Sequence, residues 1–239
     1  EVRRSSDNST QNIGFTANGD LDTTALKTFV GSGNGFVTIW YDQSGNTRNL
    51  TEVTSSKQPG IVNAGIMYRR NGKPTLYLDG SDDGMIYSGA TYLNSNPITV
   101  NLVAGSNANS NALRRAIQGS SNWLVGPYGN QHSWFAGNWN HQISTPWSTT
   151  LVEYFTVTQP TSNSCTSFRN GVSQTSANNK GLPGKINLGT EGAYSEPLNG
   201  YISEVISYST ELNTTDRQSM EASQLAYYPI PSTNANLST

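Results

Sequence analysis

Short strand-like segments separated by glycine- and asparagine-rich turns are the feature that most constrains the fold of this chain. The segments alternate apolar and polar residues or are rich in β-branched and aromatic residues, which is typical of strands. They cover residues 36–41, 75–78, 98–103, 151–157, 166–169, 185–188 and 200–208. Many strands joined by tight turns predict an all-β fold of two packed antiparallel sheets, not a parallel α/β sheet.

The core and the turns follow from the same pattern. We expect nine apolar residues of these segments to be largely buried: Trp40, Leu76, Leu78, Val100, Leu102, Phe155, Val157, Ile202 and Val205. Asparagine and glycine tolerate the positive φ angles of tight turns. Turns are therefore predicted at residues 44–46, 71–74, 79–84 and 170–171.

Two short helices interrupt the strands. One is predicted at residues 22–30, with Leu26 and Val30 on one face, and a short C-terminal helix at residues 214–227. Thr214 or Thr215 is the predicted N-cap of the second helix. Its expected apolar stripe consists of Met220, Ala222, Leu225 and Ala226, and the helix is expected to lie outside the sandwich. Residues 1–230 are predicted to form one domain and residues 231–239 a flexible tail or linker.

The composition restricts the class of ligand. Charged residues make up only 13% of the chain, against about 25% in an average domain, and the net charge is −2. The 12 Tyr, 5 Trp and 6 Phe argue against disorder. An uncharged polar surface with aromatic residues suits hydroxyl-rich ligands. It argues against a nucleic-acid partner, which requires a dense basic patch.

Other features exclude further classes. The single cysteine, Cys165, cannot form a disulfide within the chain and is interpreted as an inert strand residue. No run of about 18 apolar residues predicts membrane insertion. The N-terminal residues lack the apolar region of a signal peptide. We therefore expect a mature form, an excised domain or a protein delivered in a phage particle.

Residues 122–147 hold the densest mixture of aromatic and amide side chains. Aromatic faces stack on sugar rings, and amides or imidazoles bond to hydroxyl groups. A sugar site and a partly aromatic core are both consistent with this segment. Alternation predicts that one of the neighbours Trp134 and Phe135 points inward and the other outward. His132 and His141, the only histidines, are interpreted as ordinary polar residues because no third zinc ligand is near in sequence.

Three further motifs have structural interpretations. Asp79, Asp82 and Asp83 predict a hairpin turn, with a Ca²⁺ site left open. Asp42 and Ser44 are expected to accept hydrogen bonds from turn amides. The pairs Arg3-Arg4, Arg69-Arg70 and Arg114-Arg115 are interpreted as solvated surface charge.

Two groups of residues carry a resemblance to a known family. The opening of the chain resembles the catalytic domain of family 54 α-L-arabinofuranosidases and many laminin-G-like modules of the concanavalin A-like superfamily. The matching strings are Val2-Arg3-Arg4-Ser5-Ser6-Asp7-Asn8, Ile13-Gly14-Phe15 and Trp40-Tyr41-Asp42-Gln43-Ser44-Gly45-Asn46. The closing string Leu198-Asn199-Gly200-Tyr201-Ile202-Ser203-Glu204-Val205 is similar to those modules. The resemblance implies a jelly-roll-like sandwich and, in the enzymes, a retaining mechanism with two carboxyl groups.

The resemblance also implies that the catalytic nucleophile is missing. Gln131 stands where these enzymes carry a glutamate, and a carboxamide cannot form the glycosyl-ester intermediate. No Asp or Glu occurs between Asp83 and Glu153. Glu191 falls near the position of the general acid. The disulfides of the enzymes are absent because there is one cysteine.

The leading hypothesis is therefore a non-catalytic carbohydrate-binding or adhesion module, extracellular or on a cell surface. Its expected partner is a glycan or polysaccharide, held by the exposed members of one set: Tyr128, Gln131, His132, Trp134, Trp139, His141, Glu191 and Tyr194. Multi-copy display or oligomerisation is expected to strengthen weak single contacts. No cofactor is expected, apart from the open Ca²⁺ alternative. Two other hypotheses remain: a structural or receptor-facing domain of a phage virion, and an arabinofuranosidase-like glycoside hydrolase.

Overall fold

Two antiparallel sheets pack face to face in the computed structural model, which describes residues 1–107, 111–177, 181–189 and 196–229. Side chains at 175–177 are outside this description. The large sheet has the order β19-β18-β17-β12-β21-β10-β6-β3-β1-β2, and β7 pairs with β6. Its strands are β1 (Val2–Arg4), β2 (Thr10–Gln11), β3 (Gly35–Val37), β6 (Gly60–Asn63), β7 (Ile66–Met67), β10 (Leu76–Asp79), β12 (Ile98–Ser106), β17 (Glu153–Thr161), β18 (Ser164–Arg169), β19 (Val172–Ala177) and β21 (Asn199–Tyr208).

The small sheet has the order β11-β20-β13-β14-β15-β16. It contains β11 (Gly84–Met85), β13 (Ile117–Gln118), β14 (Trp123–Pro127), β15 (His132–Ala136), β16 (Trp139–Ile143) and β20 (Asn187–Gly189). Two separate hairpins pair β4 (Ile39–Trp40) with β5 (Leu50–Thr51) and β8 (Arg69–Arg70) with β9 (Lys73–Pro74). A short 3-10 helix spans Ser55–Lys57. The predicted all-β sandwich with a short C-terminal helix is confirmed.

The core lies between the facing sheets, where alternate residues of each strand point inward. Seven of the nine predicted core residues are buried: Leu76, Leu78, Val100, Leu102, Phe155, Val157 and Ile202. Trp40 and Val205 are only half-buried and pack against this core from its margin. Cys165 is buried in the same core, as an inert strand residue would be.

The predicted hairpin turns have the expected backbone geometry. Asn71 and Gly72 have φ angles of 50° and 75°, and Asn170 and Gly171 have φ angles of 48° and 79°. Both pairs lie between antiparallel neighbours, where positive φ at two successive residues matches the twist of the strands.

Helix α1 (Thr23–Val30) is capped by the side chain of Asp22 and buries Leu26 and Val30, as predicted. Helix α2 (Thr214–Tyr227) has the predicted bounds, but its N-cap is Asn213, whose side chain accepts from the Asp216 amide. Asn213 takes this role because it adopts the extended conformation one residue before the helix begins.

The predicted apolar stripe of α2 is wrong. The helix lies outside the sandwich, but its buried residues are Arg217, Glu221 and Gln224, while Leu225 is 37% exposed. The outer face of the large sheet presents polar side chains at this place. Glu221 accepts from Thr156 at 2.8 Å and Gln224 donates to Asn101 at 2.6 Å, so polar partners on the sheet select the polar face of the helix. Arg217, the third buried residue of the helix, forms an ion pair with Glu221.

No helix among the described residues is both long and apolar enough to cross a membrane.

Candidate functional site

The structure separates the predicted site residues into three groups. Tyr128 and Gln131 are half-buried, and Trp139 is 41% exposed. His132, Trp134 and His141 are at most 2% exposed, so the expectation that these three side chains are exposed is wrong. Glu191 and Tyr194 lie outside the described residues.

The buried group belongs to the core because of strand alternation. Trp134 on β15 points between the sheets, where its ring meets Trp123 edge-on with centroids 6.4 Å apart. Phe135, the next residue, is half-buried and has the exposed Trp139 as its ring neighbour. The predicted inward and outward orientation of this neighbouring pair is therefore confirmed, with Trp134 as the inward member.

His132 takes part in a buried polar network. Its Nδ1 lies 2.7 Å from the Thr145 carbonyl oxygen and its Nε2 lies 3.1 Å from the Glu153 carboxylate. Glu153 also accepts from the Ser148 amide and from the Arg169 guanidinium at 2.6 Å. Burial alone would raise the pKa of Glu153, but bonds and charges from His132 and Arg169 outweigh it and lower that pKa to about 2. The network holds the two sheets together.

His141 is also a structural residue. Its Nδ1 lies 2.9 Å from the Ser167 hydroxyl, and its ring meets Phe155 edge-on at 5.2 Å. Burial, followed by electrostatic interactions with His132 and Arg169, lowers the pKa of His141 to about 4. His141 is therefore neutral at physiological pH, and both histidines make hydrogen bonds within the protein.

Tyr128 and Trp139, together with Phe135, form a row of three aromatic rings that we call the aromatic ledge. The rings of Tyr128 and Trp139 have centroids 4.9 Å apart, and those of Trp139 and Phe135 are 5.0 Å apart. A register shift between β15 and β16 places Trp139 opposite Phe135, and Asn140 is the extra residue. The shift brings Trp139 to the exposed side, where its ring can meet the apolar face of a ligand.

A polar group adjoins the ledge. The Tyr128 hydroxyl donates to Glu196 at 2.9 Å, and the other Glu196 oxygen accepts from Arg115. Arg115 also donates to the Asn122 amide oxygen at 3.0 Å. Burial, followed by the hydrogen bond to Glu196, raises the pKa of Tyr128. The ledge therefore ends in a carboxylate and an amide, both of which bond to hydroxyl groups.

Sequence reasoning missed Glu196 and Arg115. Arg115 was predicted to be solvated surface charge but is 2% exposed, and Arg3 is also buried, bonded to Gln58 and Asn8. Arginine is buried where a carboxylate or several acceptors meet its donors. The partner of Arg115 lies 81 residues away in the chain, so no local pattern indicated it.

Gln131 ends the turn that joins β14 and β15. Gly129 and Asn130 before it have φ angles of 62° and 60°, which reverse the chain tightly. Because Tyr128 and Gln131 flank this turn, both lie at the same end of the small sheet. Within the described residues, Glu196 is the one carboxylate bonded to the ledge.

The acidic turn lies apart from the ledge. One oxygen from each of Asp79, Asp82 and Asp83 lies within 4.8 Å of the others. Asp83 accepts from the Asp79 amide and Asp79 accepts from the Ser81 amide, which are bonds of a hairpin turn. Burial raises the pKa of Asp83 to about 7. The neighbouring acidic charges also raise this pKa, whereas the hydrogen bond from the Asp79 amide lowers it.

The Trp-Tyr-Asp-Gln-Ser-Gly string has the predicted structural role. Asp42 accepts from the Ser44 amide at 2.8 Å and from the Arg48 amide at 2.9 Å, and Ser44 accepts from the Asn46 amide. These bonds shape the turn between β4 and β5.

Comparison with known proteins relates the chain to a family of glycosidase domains. Residues 1–121 match the family model described as alpha-L-arabinofuranosidase B, catalytic. Gln131 and the aromatic ledge lie beyond the matched residues. Among curated proteins, no sequence matches significantly.

Solved structures share the fold at low sequence identity. A family 54 α-L-arabinofuranosidase soaked with a cyclic sulfate inhibitor superposes with a TM-score of 0.71 at 17% identity. The match covers 95% of this chain and 58% of that enzyme, so this chain spans little more than half its length. The binding domain of Paraclostridial mosquitocidal protein 1 has a TM-score of 0.57 at 16% identity, covering 77% of this chain and 49% of that one. The ligand binding domain of botulinum neurotoxin serotype D, in complex with N-acetylneuraminic acid, has a TM-score of 0.50 at 12% identity, with coverages of 89% and 50%.

Proposed function

Because this chain belongs to the family of the catalytic domain of alpha-L-arabinofuranosidase B, we propose that it binds carbohydrate through the aromatic ledge and does not cleave it. The observation that carries the proposal is the exposed Trp139 ring, flanked by Tyr128 and Phe135. Solved structures of similar fold include an arabinofuranosidase with arabinofuranosyl-α-1,2-xylobiose and a toxin domain with N-acetylneuraminic acid, which supports a sugar as the ligand class.

The ledge offers both kinds of contact that sugars need. Ring faces stack on the C–H side of a sugar, and Gln131 and Glu196 accept from its hydroxyl groups. Arg115 and Tyr128 already orient the Glu196 carboxylate, so little side-chain entropy is lost when a ligand binds. Glu191 and Tyr194 remain proposed neighbours of this site.

The absence of cleavage is proposed from the chemistry of the site. A retaining glycosidase needs a nucleophilic carboxylate and a second carboxyl group as acid. Gln131 stands in place of the nucleophile. Both oxygens of Glu196, the carboxylate bonded to the ledge, already accept hydrogen bonds, one from Arg115 and one from Tyr128.

Affinity for a single site is expected to be weak. A stacked aromatic ring contributes about 1 kcal/mol, so a few such contacts give dissociation constants of about millimolar to micromolar. Useful adhesion then requires several copies. We propose that such copies act outside the cell, on a cell surface or, alternatively, on a virion.

The binding test begins with a glycan array and continues with a titration of the best glycan. Trp139→Ala is expected to weaken binding about fivefold or more while the melting temperature is retained. The control is Ile66→Ala, which truncates an exposed apolar side chain on β7. Equal binding by the wild type and Trp139→Ala would show that the sugar site lies elsewhere.

The family membership favours one alternative, a glycoside hydrolase. The proposal predicts no turnover of aryl arabinofuranosides, and Gln131→Glu alone is not expected to restore full activity. Robust hydrolysis by the wild type that is abolished by Glu191→Gln would establish the hydrolase instead.

A further inference from the structure

A groove of 580 Å³ runs along one edge of β21, away from the aromatic ledge. Its volume lies within the range of about 300–1,000 Å³ that ligand pockets usually have. We call it the edge groove. Its floor is residues 203–207 of β21, one wall is the turn between β4 and β5, and the other is the C-terminal half of α2. Five successive strand residues line it, and because their side chains alternate in direction, the main-chain edge itself must face the groove.

On the side that faces the groove, residues 203–207 of β21 have no neighbouring strand among the described residues. Strand β12 occupies the opposite edge along its whole length, from Gly200 to Tyr208. Strand β10 pairs only with residues 199–202, and its register ends at Leu76 opposite Ile202. Beyond Ile202 the sheet is therefore open on this side. An open edge offers unpaired N–H and C=O groups to an added strand.

Several side chains that line the groove already have partners. Both Asp42 oxygens accept turn amides, and the Tyr41 hydroxyl donates to Asn12 at 2.8 Å. The Arg48 guanidinium lies 4.0 Å from the centre of the Tyr92 ring. The Asp42 oxygens, the Tyr41 hydroxyl and the Tyr92 ring face therefore already have partners within the protein. The main-chain edge has no partner strand among the described residues, although the Ser203 carbonyl accepts from the Tyr228 hydroxyl at 3.2 Å.

Glu204 is the exception among the side chains. It is half-buried, and burial raises its pKa, opposed by a hydrogen bond from Gln224. None of the described ion pairs includes Glu204. A half-buried carboxylate with no ion-pair partner among the described residues favours a basic group brought by a ligand. On the other side of the strand the groove is apolar, lined by Leu50, Ile186, Leu188 and Val205.

We propose that the edge groove binds an extended polypeptide segment, which adds as a strand to the open edge of β21 and sets a lysine or arginine against Glu204. Strand addition satisfies the open main-chain groups, and alternate ligand side chains face the two sides of the sheet. The favoured segment therefore alternates apolar residues, facing Leu50 and Leu188, with polar ones, of which one is basic. This interaction is independent of carbohydrate binding at the aromatic ledge.

The probe is a pool of seven-residue peptides, acetylated and amidated, with valine or isoleucine at odd positions, threonine at two even positions and lysine at the centre. Binding is measured by titration, and hydrogen exchange is followed at the amides of residues 203–208. The peptides are expected to protect amides on the open edge. Peptides with N-methyl groups at alternate residues keep the side chains but lose the strand bonds, so they are expected not to bind.

The matched variants are Glu204→Gln and, as a control, Glu211→Gln, which alters an exposed glutamate. Glu204→Gln is expected to weaken binding of the lysine peptides about tenfold. The same variant is expected to leave binding unchanged for peptides that carry norleucine in place of lysine. Trp139→Ala is expected to bind the peptides like the wild type, which separates this proposal from the proposed carbohydrate site.

Three results would overturn the proposal. One is the absence of binding to the pool at about 1 mM peptide. Another is equal binding of the N-methylated peptides. The third is protection of residues 203–208 by a neutral oligosaccharide and not by the peptides.

Discussion

Tyr128 donates a 2.9 Å hydrogen bond to Glu196, which lies 68 residues later in the chain. The bond ties the β14–β15 turn to the segment that enters β21. Arg115 holds the other Glu196 oxygen, so a buried cation, a carboxylate and a phenol form one chain of contacts beneath the ledge. The Trp139 ring packs against the Tyr128 ring, so the position of Trp139 depends on these contacts of Tyr128, Glu196 and Arg115.

Removing the two partners of this bond is expected to have unequal effects. Tyr128→Phe loses one hydrogen bond and should lower the free energy of unfolding by about 1 kcal/mol. Glu196→Ala also leaves the buried Arg115 without its carboxylate and should cost about 3 kcal/mol. Denaturant unfolding of the two variants gives both values. Equal costs would mean that Arg115 does not depend on Glu196.

Substitutions of Trp134 and of Trp139 are expected to lower the free energy of unfolding by different amounts. Trp134 is 1% exposed, so Trp134→Ala leaves a cavity and should lower the free energy of unfolding by about 3–5 kcal/mol. Trp139 is 41% exposed, and Trp139→Ala should cost less than about 1 kcal/mol. Thermal and denaturant unfolding of both variants provide the comparison. A larger loss for Trp139 would contradict the assignment of inner and outer faces.

His141 is expected to make the protein sensitive to mild acid. Its pKa in the folded state, about 4, lies below the ordinary value of 6.5, so the folded state favours the neutral ring. Its contribution to stability is complete above pH 6.5 and is lost as the pH falls toward 4. Over this window the free energy of unfolding should fall by about 2–3 kcal/mol.

The control for this prediction is His141→Gln, which cannot titrate. The variant should show a flatter dependence of unfolding free energy between pH 6.5 and pH 4. The contribution of Glu153 appears at lower pH, since its pKa is lowered from 4.5 to about 2. An equally steep slope in His141→Gln above pH 4.5 would assign the acid sensitivity to another group.

Asp83 is expected to make the protein less stable as the pH rises, which is the opposite of the pH dependence expected for His141. Its pKa in the folded state is raised from 3.8 to about 7, so the folded state favours the protonated acid. Its contribution is complete below about pH 4 and is lost as the pH rises through 7. Asp83→Asn keeps an acceptor for the Asp79 amide and should be more stable than the wild type at pH 8, by about 2 kcal/mol.

Calcium provides the second measurement on this turn. If the three carboxylates only shape a hairpin, millimolar-range Ca²⁺ should leave the melting temperature of the wild type unchanged. A rise in melting temperature that is lost in Asp83→Asn would instead establish the alternative of a Ca²⁺ site.

The packing of helix α2 on the sheet is expected to depend on the polar face of the helix. Glu221→Ala removes the partner of Arg217 and of Thr156 and should cost about 3 kcal/mol, because a buried charge is left unpaired. Leu225→Ala, on the exposed face, should cost less than about 0.5 kcal/mol. Urea unfolding of the two variants measures these effects. A greater cost for Leu225 would mean that the helix packs through its apolar residues.

The sequence by itself indicated the seven predicted strand segments, the hairpin turns and the limits of both helices, because these depend on local preferences. It did not indicate the short strands such as β1, β7 and β13. Asn71-Gly72 and Asn170-Gly171 favour positive φ wherever they occur, and alternation shows that Trp134 and Phe135 point to opposite faces. The absence of Asp and Glu between Asp83 and Glu153 is likewise visible in the sequence.

Only the tertiary structure decided which face of each element is buried. Alternation cannot say whether Trp134 or Phe135 points inward, and a register shift at Asn140 then exposes Trp139. The polar face of α2 packs on the sheet because its residues form hydrogen bonds with Asn101 and Thr156. Arg115 is buried because Glu196 reaches it across 81 residues of chain. Burial of polar groups depends on partners that are distant in sequence, and the fold alone brings those partners together.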